Sequence, residues 1–189
     1  MATRARRLSV AVVAAAAGAL AVLVLPAAPA GATSASITVT ASTLGLVSAV
    51  PNVSWTDTLN GLDQAPTTTQ AIDVSDATGS GAGWNITATS TTFTTGAVSL
   101  STTATTVQSS PNVACDASAT CVTATTNVSY PYTLPAAGTA PTATKVFNAT
   151  ANTGMGDQTV TITWKVALPA STKAGTYTST WTISLVSGP

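Results

Sequence analysis

From Gln158 to Val166 the chain alternates without a break: Val160, Ile162, Trp164 and Val166 fall on one side, and Thr159, Thr161, Thr163 and Lys165 on the other. Successive side chains of a strand point to opposite faces, so the pattern fits a sheet with one face on a core and one in water. A helical period would scatter the same residues around its circumference. Ser36–Ala41 repeats the pattern with Ile37, Val39 and Ala41 on one face, and Thr176–Leu185 sets Tyr177, Trp181, Ile183 and Leu185 against Thr176, Thr178, Thr180 and Thr182. About a quarter of the residues past position 32 are threonine, which is β-branched and favours a pleated backbone. Further strands are expected near 44–50, 52–59, 70–75, 84–94, 97–107, 121–133 and 143–150, with turn formers crowding 77–83, 109–119, 135–141, 152–157 and 169–175. About nine or ten short strands make an all-β fold, an antiparallel β-sandwich or a partly open barrel.

The first residues read as an address. Met1–Arg7 is basic, Leu8–Leu25 is apolar, and Pro26–Ala32 offers small residues in the positions a signal peptidase reads. Cleavage fits after Ala30 or after Ala32, and Ala32 is preferred; residues 1–32 are then a signal peptide and 33–189 a single β domain. With no second apolar segment before Pro189, neither a covalent anchor nor a membrane anchor is expected to remain.

Charge excludes several functions. Charged residues are only 6% of the chain, and past residue 32 three lysines face six aspartates, a formal −3. Nucleic-acid binding needs a basic field that Lys145, Lys165 and Lys173 cannot supply. The chain has no histidine and no glutamate, the commonest proton carriers in catalysis, so no enzyme is expected. A structural zinc site would need more than two cysteines, and no metal or cofactor is expected.

Cys115 and Cys121 read as one disulfide pinning a loop of an exported protein, since they lack the CxxC spacing of a redox pair. Gly79, Gly81 and Gly83 precede a strand and not a helix, which makes them a turn and not a phosphate cradle. Asp73 and Asp76 are close in sequence, but a glycosidase needs its two carboxylates facing across a cleft.

Tryptophan carries the strongest signal. Gly83-Trp84-Asn85-Ile86 and Thr180-Trp181-Thr182-Ile183 each place an isoleucine two positions after a tryptophan, hence on the same strand face. Tyr177 and Leu185 extend the Trp181 face, which places that ring in the core. For Trp84 two readings stay open: its alternation with Asn85 fits a core position, while the glycines before it fit a ring at the rim of a sheet that meets a ligand. Trp164 reads as core, and Trp55, between Ser54 and Thr56, is open to either reading.

In these two blocks, Val74–Ala88 with Phe93 and Gly175–Leu185, the chain resembles the WxL domain family of Gram-positive surface proteins. That family has two Trp-x-Leu motifs; here both carry isoleucine, at Ile86 and Ile183, and Thr78 stands where arginine is common. The resemblance implies a secreted protein held non-covalently on the cell wall, with peptidoglycan or another wall glycan as ligand and companion surface proteins as partners. Trp84, Ile86, Trp181 and Ile183 are the motif residues it singles out, for ligand contact or for core packing. A structural or adhesive subunit that pairs strand edges, without binding peptidoglycan, is the alternative.

Overall fold

The computed structural model describes residues 34–96 and 98–188; the expected signal peptide and its expected cleavage site therefore lie outside the described residues. Twelve strands form: β1 (Leu44–Leu46), β2 (Thr67–Asp76), β3 (Trp84–Thr91), β4 (Thr94–Thr95), β5 (Val98–Ser99), β6 (Thr105–Val107), β7 (Asn112–Cys115), β8 (Tyr132–Thr133), β9 (Ala136–Ala137), β10 (Thr144–Ala149), β11 (Gly156–Val166) and β12 (Trp181–Ser187). They build a six-stranded sheet in the order β1-β2-β11-β6-β8 with β7 also on β11, a four-stranded sheet β10-β3-β12 with β9 on β3, and a small β4-β5 ladder. All pairings are antiparallel except β3 with β9, and neither large sheet closes into a barrel.

The long alternating segment is the spine of the larger sheet. β11 pairs with β2 from Gly156 opposite Asp76 to Lys165 opposite Thr67. Its inward residues Val160, Ile162 and Trp164 are fully buried, while the threonines between them keep partial solvent contact. In the smaller sheet β3 is central, and Trp84, Ile86 and Ala88 face the same core together with Val146 and Phe147. One apolar core shared by two sheets is the expected sandwich arrangement. Burial on this scale is the main stabilising term of such a domain.

Some expected strands do not form. Ser36–Ala41 belongs to no strand, and Ile37 and Val39 stand 88% and 84% exposed. Alternation prepares a segment for a sheet, but pairing also needs a free edge. Residues 52–59 are irregular because Pro51 lacks a donor, and Asp57 Oδ1 accepts from Thr58 N at 2.8 Å in place of a ladder bond. Most of 121–133 is also irregular; Thr126 Oγ1 accepts from Val128 N and Asn148 N at 3.2 and 3.1 Å. Conversely, β7 and β9 form in stretches expected to be loops. The C-terminal strand begins at Trp181, with Thr178 making only a single bridge to Thr94.

Cys115 and Cys121 are disulfide-bonded, as their spacing predicts. No helix among the described residues is long and apolar enough to cross a membrane.

Candidate functional site

The two tryptophan motifs lie on neighbouring strands. β3 and β12 run antiparallel, with Ser187 opposite Trp84, Leu185 opposite Ile86, Ile183 opposite Ala88 and Trp181 opposite Ser90. The motifs thus occupy opposite ends of one ladder, and their surroundings differ.

Trp84 is in the core and not at the rim. Its ring is fully buried, stacks on Phe147 at 5.5 Å, and donates from Nε1 to Gly154 O at 2.8 Å. Two glycines with positive φ make this burial possible. A Cβ on Gly154 would meet Trp84 Nε1 at 2.6 Å, and one on Gly83 would collide with Ala149 O. Gly154 therefore lets backbone close over the ring, while Gly83 lets the chain before Trp84 pass close to Ala149. Ile86 is equally buried, so neither residue offers a face to a ligand.

At the other end of the ladder the aromatic residues open outward. Trp181 is half-buried, as are Trp55, Phe93 and Tyr177. The Trp55 ring centroid lies 5.8 Å from Phe93 and 5.9 Å from Trp181, and Phe93 lies 6.4 Å from Trp181. Trp181 in turn meets the buried Trp164 edge to face at 4.8 Å. Ile183 is half-buried beside this group and packs against the core.

These rings line a cleft of about 1210 Å³ whose rim carries Asn52, Ser54, Thr56, Thr58, Thr172, Thr176, Thr178, Ser179 and Thr182. The segment bearing Trp55 has no ladder of its own and is held by side chains. Gln70, 3% exposed on the inner face of β2, donates from Nε2 to Pro51 O at 2.6 Å and accepts from Trp164 Nε1 at 2.9 Å. A second tie is Gln64, paired through its backbone with Leu168 at 2.8 Å each way, whose Nε2 donates to Asp57 Oδ1 at 2.8 Å and to Thr58 O at 2.9 Å. Trp55 Nε1 is buried and finds no acceptor among the described residues. Sequence reasoning left Trp55 open and assigned no role to Gln70, because its contacts with Pro51 and Trp164 span 19 and 94 residues.

The chemistry available in the cleft is recognition. Asp57 is the acid that lines it, and its Oδ1 accepts from Gln64 Nε2 and Thr58 N, both at 2.8 Å. A single committed carboxylate cannot provide the facing pair that glycoside hydrolysis uses. Half-exposed aromatic faces ringed by hydroxyls instead match a sugar ring, which has apolar C–H faces and an equatorial belt of hydroxyls.

A second polar group lies on the outer face of the larger sheet. Carboxylate oxygens of Asp73, Asp116 and Asp157 all lie within 4.8 Å of one another, and this trio could hold a metal ion. Asp116 Oδ1 accepts from Thr159 Oγ1 at 2.7 Å. Loss of solvent, then the neighbouring Asp116 and then Asp157, push the Asp73 carboxyl above its ordinary range. Asp76 does not join them: it is buried and accepts from Thr78 N and Oγ1 at 3.0 and 2.6 Å.

Comparison with curated proteins and with solved structures found no match. The family described as WxL domain, surface cell wall-binding, matches residues 28–189, which takes in both tryptophan motifs and every residue of the aromatic cleft. The chain belongs to the WxL domain family of surface cell wall-binding proteins.

Proposed function

We propose that the protein is exported by its N-terminal signal peptide and attaches non-covalently to peptidoglycan through the cleft of Trp55, Phe93, Tyr177 and Trp181. The observation that carries the reading is the cluster of three half-buried rings, Trp55, Phe93 and Trp181, with centroids 5.8–6.4 Å apart beside a hydroxyl-rich rim. Stacking and neutral hydrogen bonds hold the sugar, so attachment survives moderate salt, which screens charges and little else. The protein acts as a binder and not as an enzyme, and companion surface proteins share the wall with it.

The test is co-sedimentation of the purified protein with isolated cell walls and with walls stripped to peptidoglycan. Recovery in the pellet after a moderate-salt wash supports the reading. Protein that stays in the supernatant with both preparations refutes it.

A second reading, assembly by edge pairing, draws on the outer strands. β1 and β12 are edge strands and expose Leu46 and Val186 at 38% and 44%, and the unpaired Ile37 and Val39 precede β1. Concentration-dependent oligomers in size exclusion, without wall binding, would favour it.

A further inference from the structure

Of the three lysines among the described residues, one stands on the cleft. Lys173 lines it from an exposed turn, whereas Lys145 lies on β10 and Lys165 on the outer face of β11. The turn is closed by Thr172 N donating to Pro169 O at 2.9 Å, and Tyr177 OH links it to the aromatic wall by donating to Lys173 O at 3.0 Å. The backbone of the one cation is thus tethered by one of the rings that face the ligand.

Asp57 lines the same cleft and keeps its charge, while the other acids lie outside its lining. Asp57 is bound by Gln64 and Thr58, Asp63 Oδ1 accepts from Ala170 N at 2.8 Å, and Asp76 is occupied by Thr78. Asp73, Asp116 and Asp157 share the outer face of the other sheet. With six aspartates against three lysines, the domain as a whole is repelled by an anionic surface. Lys173 balances Asp57 within the cleft lining and gives an anionic group one local partner beside the stacking rings.

We propose that Lys173 reads an anionic group, a carboxylate or a phosphate, carried by the glycan that lies on Trp55, Phe93 and Trp181. The cleft then selects an acidic glycan over a neutral one. This rests on the cleft being the glycan site. An ammonium group is a compact point charge with three donors, and it serves either anion without the planar match that arginine demands. Cell walls offer both sources, carboxylates on peptide stems and acidic sugars, and phosphates on phosphodiester polymers.

The experiment measures co-sedimentation affinity on four matrices: native walls, walls freed of phosphate polymers, such walls with their carboxyls amidated, and chitin as a neutral glycan. The proteins are the unmodified chain, Lys173→Gln, Lys173→Arg, and Lys165→Gln as a charge change away from the cleft. The unmodified chain is expected to lose about tenfold in affinity when the anion is removed, the scale of one charge-assisted hydrogen bond. A loss on stripping phosphate identifies the phosphate source, and a loss only on amidation identifies the carboxylate. Lys173→Gln is expected to bind every matrix at the lower level, while Lys173→Arg and Lys165→Gln keep the discrimination. Lys173→Gln binding native walls as tightly as the unmodified chain overturns the role of Lys173 and leaves glycan binding standing. Failure of the unmodified chain on every matrix overturns the glycan reading and this proposal with it.

Discussion

Trp164 and Trp181 meet edge to face between the two sheets, with ring centroids 4.8 Å apart and planes at 80°. Trp164 is fully buried on β11 and hydrogen-bonded to Gln70; Trp181 is half-buried at the start of β12 and lines the cleft. The inner ring, buried and hydrogen-bonded, gives the outer one a fixed packing surface. Preorganisation of this kind lowers the ordering cost of binding.

On the proposed cleft, the two motif tryptophans are expected to divide stability and binding between them. Trp84→Ala empties a closed core site and orphans Gly154 O, and is expected to cost about 3–5 kcal/mol. Trp181→Ala removes a half-exposed ring and is expected to cost about half as much, while weakening wall binding in protein that remains folded. Thermal melts and co-sedimentation of both variants check the contrast. A larger loss of stability for Trp181→Ala would reverse the assignment.

How much of this was legible depends on the range of the contacts. The inward face of β11 could be read from alternation alone, because a strand's two faces are written in every second residue, and the disulfide from two cysteines close in sequence. Trp84 reads equally as core or rim in the sequence, because a glycine-rich approach looks the same whether it leaves a ring open or leads it inward. What decides is Gly154, 70 residues away, whose carbonyl takes the indole N–H. Trp55 gave no pattern at all: its segment is irregular and is positioned by the reach of Gln70 from another strand. Ile37 and Val39 show the opposite failure, a strand pattern with no strand.

Gln70 is expected to act at a distance from the ligand. Gln70→Ala leaves Trp164 Nε1 without its acceptor and Pro51 O without its donor, at a cost of about 1–3 kcal/mol. It also frees the segment that carries Trp55. Wall affinity is expected to fall although Gln70 need not touch the glycan, and limited proteolysis is expected to cut first within 51–59. Protection there equal to that of the unmodified chain would mean the segment is held by other contacts.

Asp73 gives a pH dependence of known sign. Its folded-state pKa is raised, so the folded chain binds more protons than the unfolded one between the ordinary and the raised value. The associated stability is fully present below the ordinary value and is lost as pH rises through the folded one. Asp73→Asn, which removes the repelling charge, is expected to stabilise the fold at pH 7 by under about 1 kcal/mol, the scale for groups that keep solvent contact, and so to raise the melting temperature. The gain should shrink toward pH 3. Melts at both pH values decide, and an equal gain at each would contradict the charge argument.

The disulfide is expected to be a minor staple. Cys115 and Cys121 are only six positions apart, and the chain-entropy model assigns so short a loop about 2 kcal/mol. Neither cysteine lines the aromatic cleft. Reduction should lower the melting temperature and leave wall affinity unchanged at temperatures where the domain stays folded; a parallel loss of both would contradict this.

Trp55→Ala tests the central claim most directly, because Trp55 is half-buried, lies outside every strand and belongs to neither motif. The measurement is co-sedimentation affinity for stripped peptidoglycan, with the melting temperature recorded on the same sample. The predicted result is a loss of binding of about tenfold, the worth of one stacked ring, with most of the stability retained. Binding equal to that of the unmodified chain would contradict the account and move wall attachment away from the aromatic cleft.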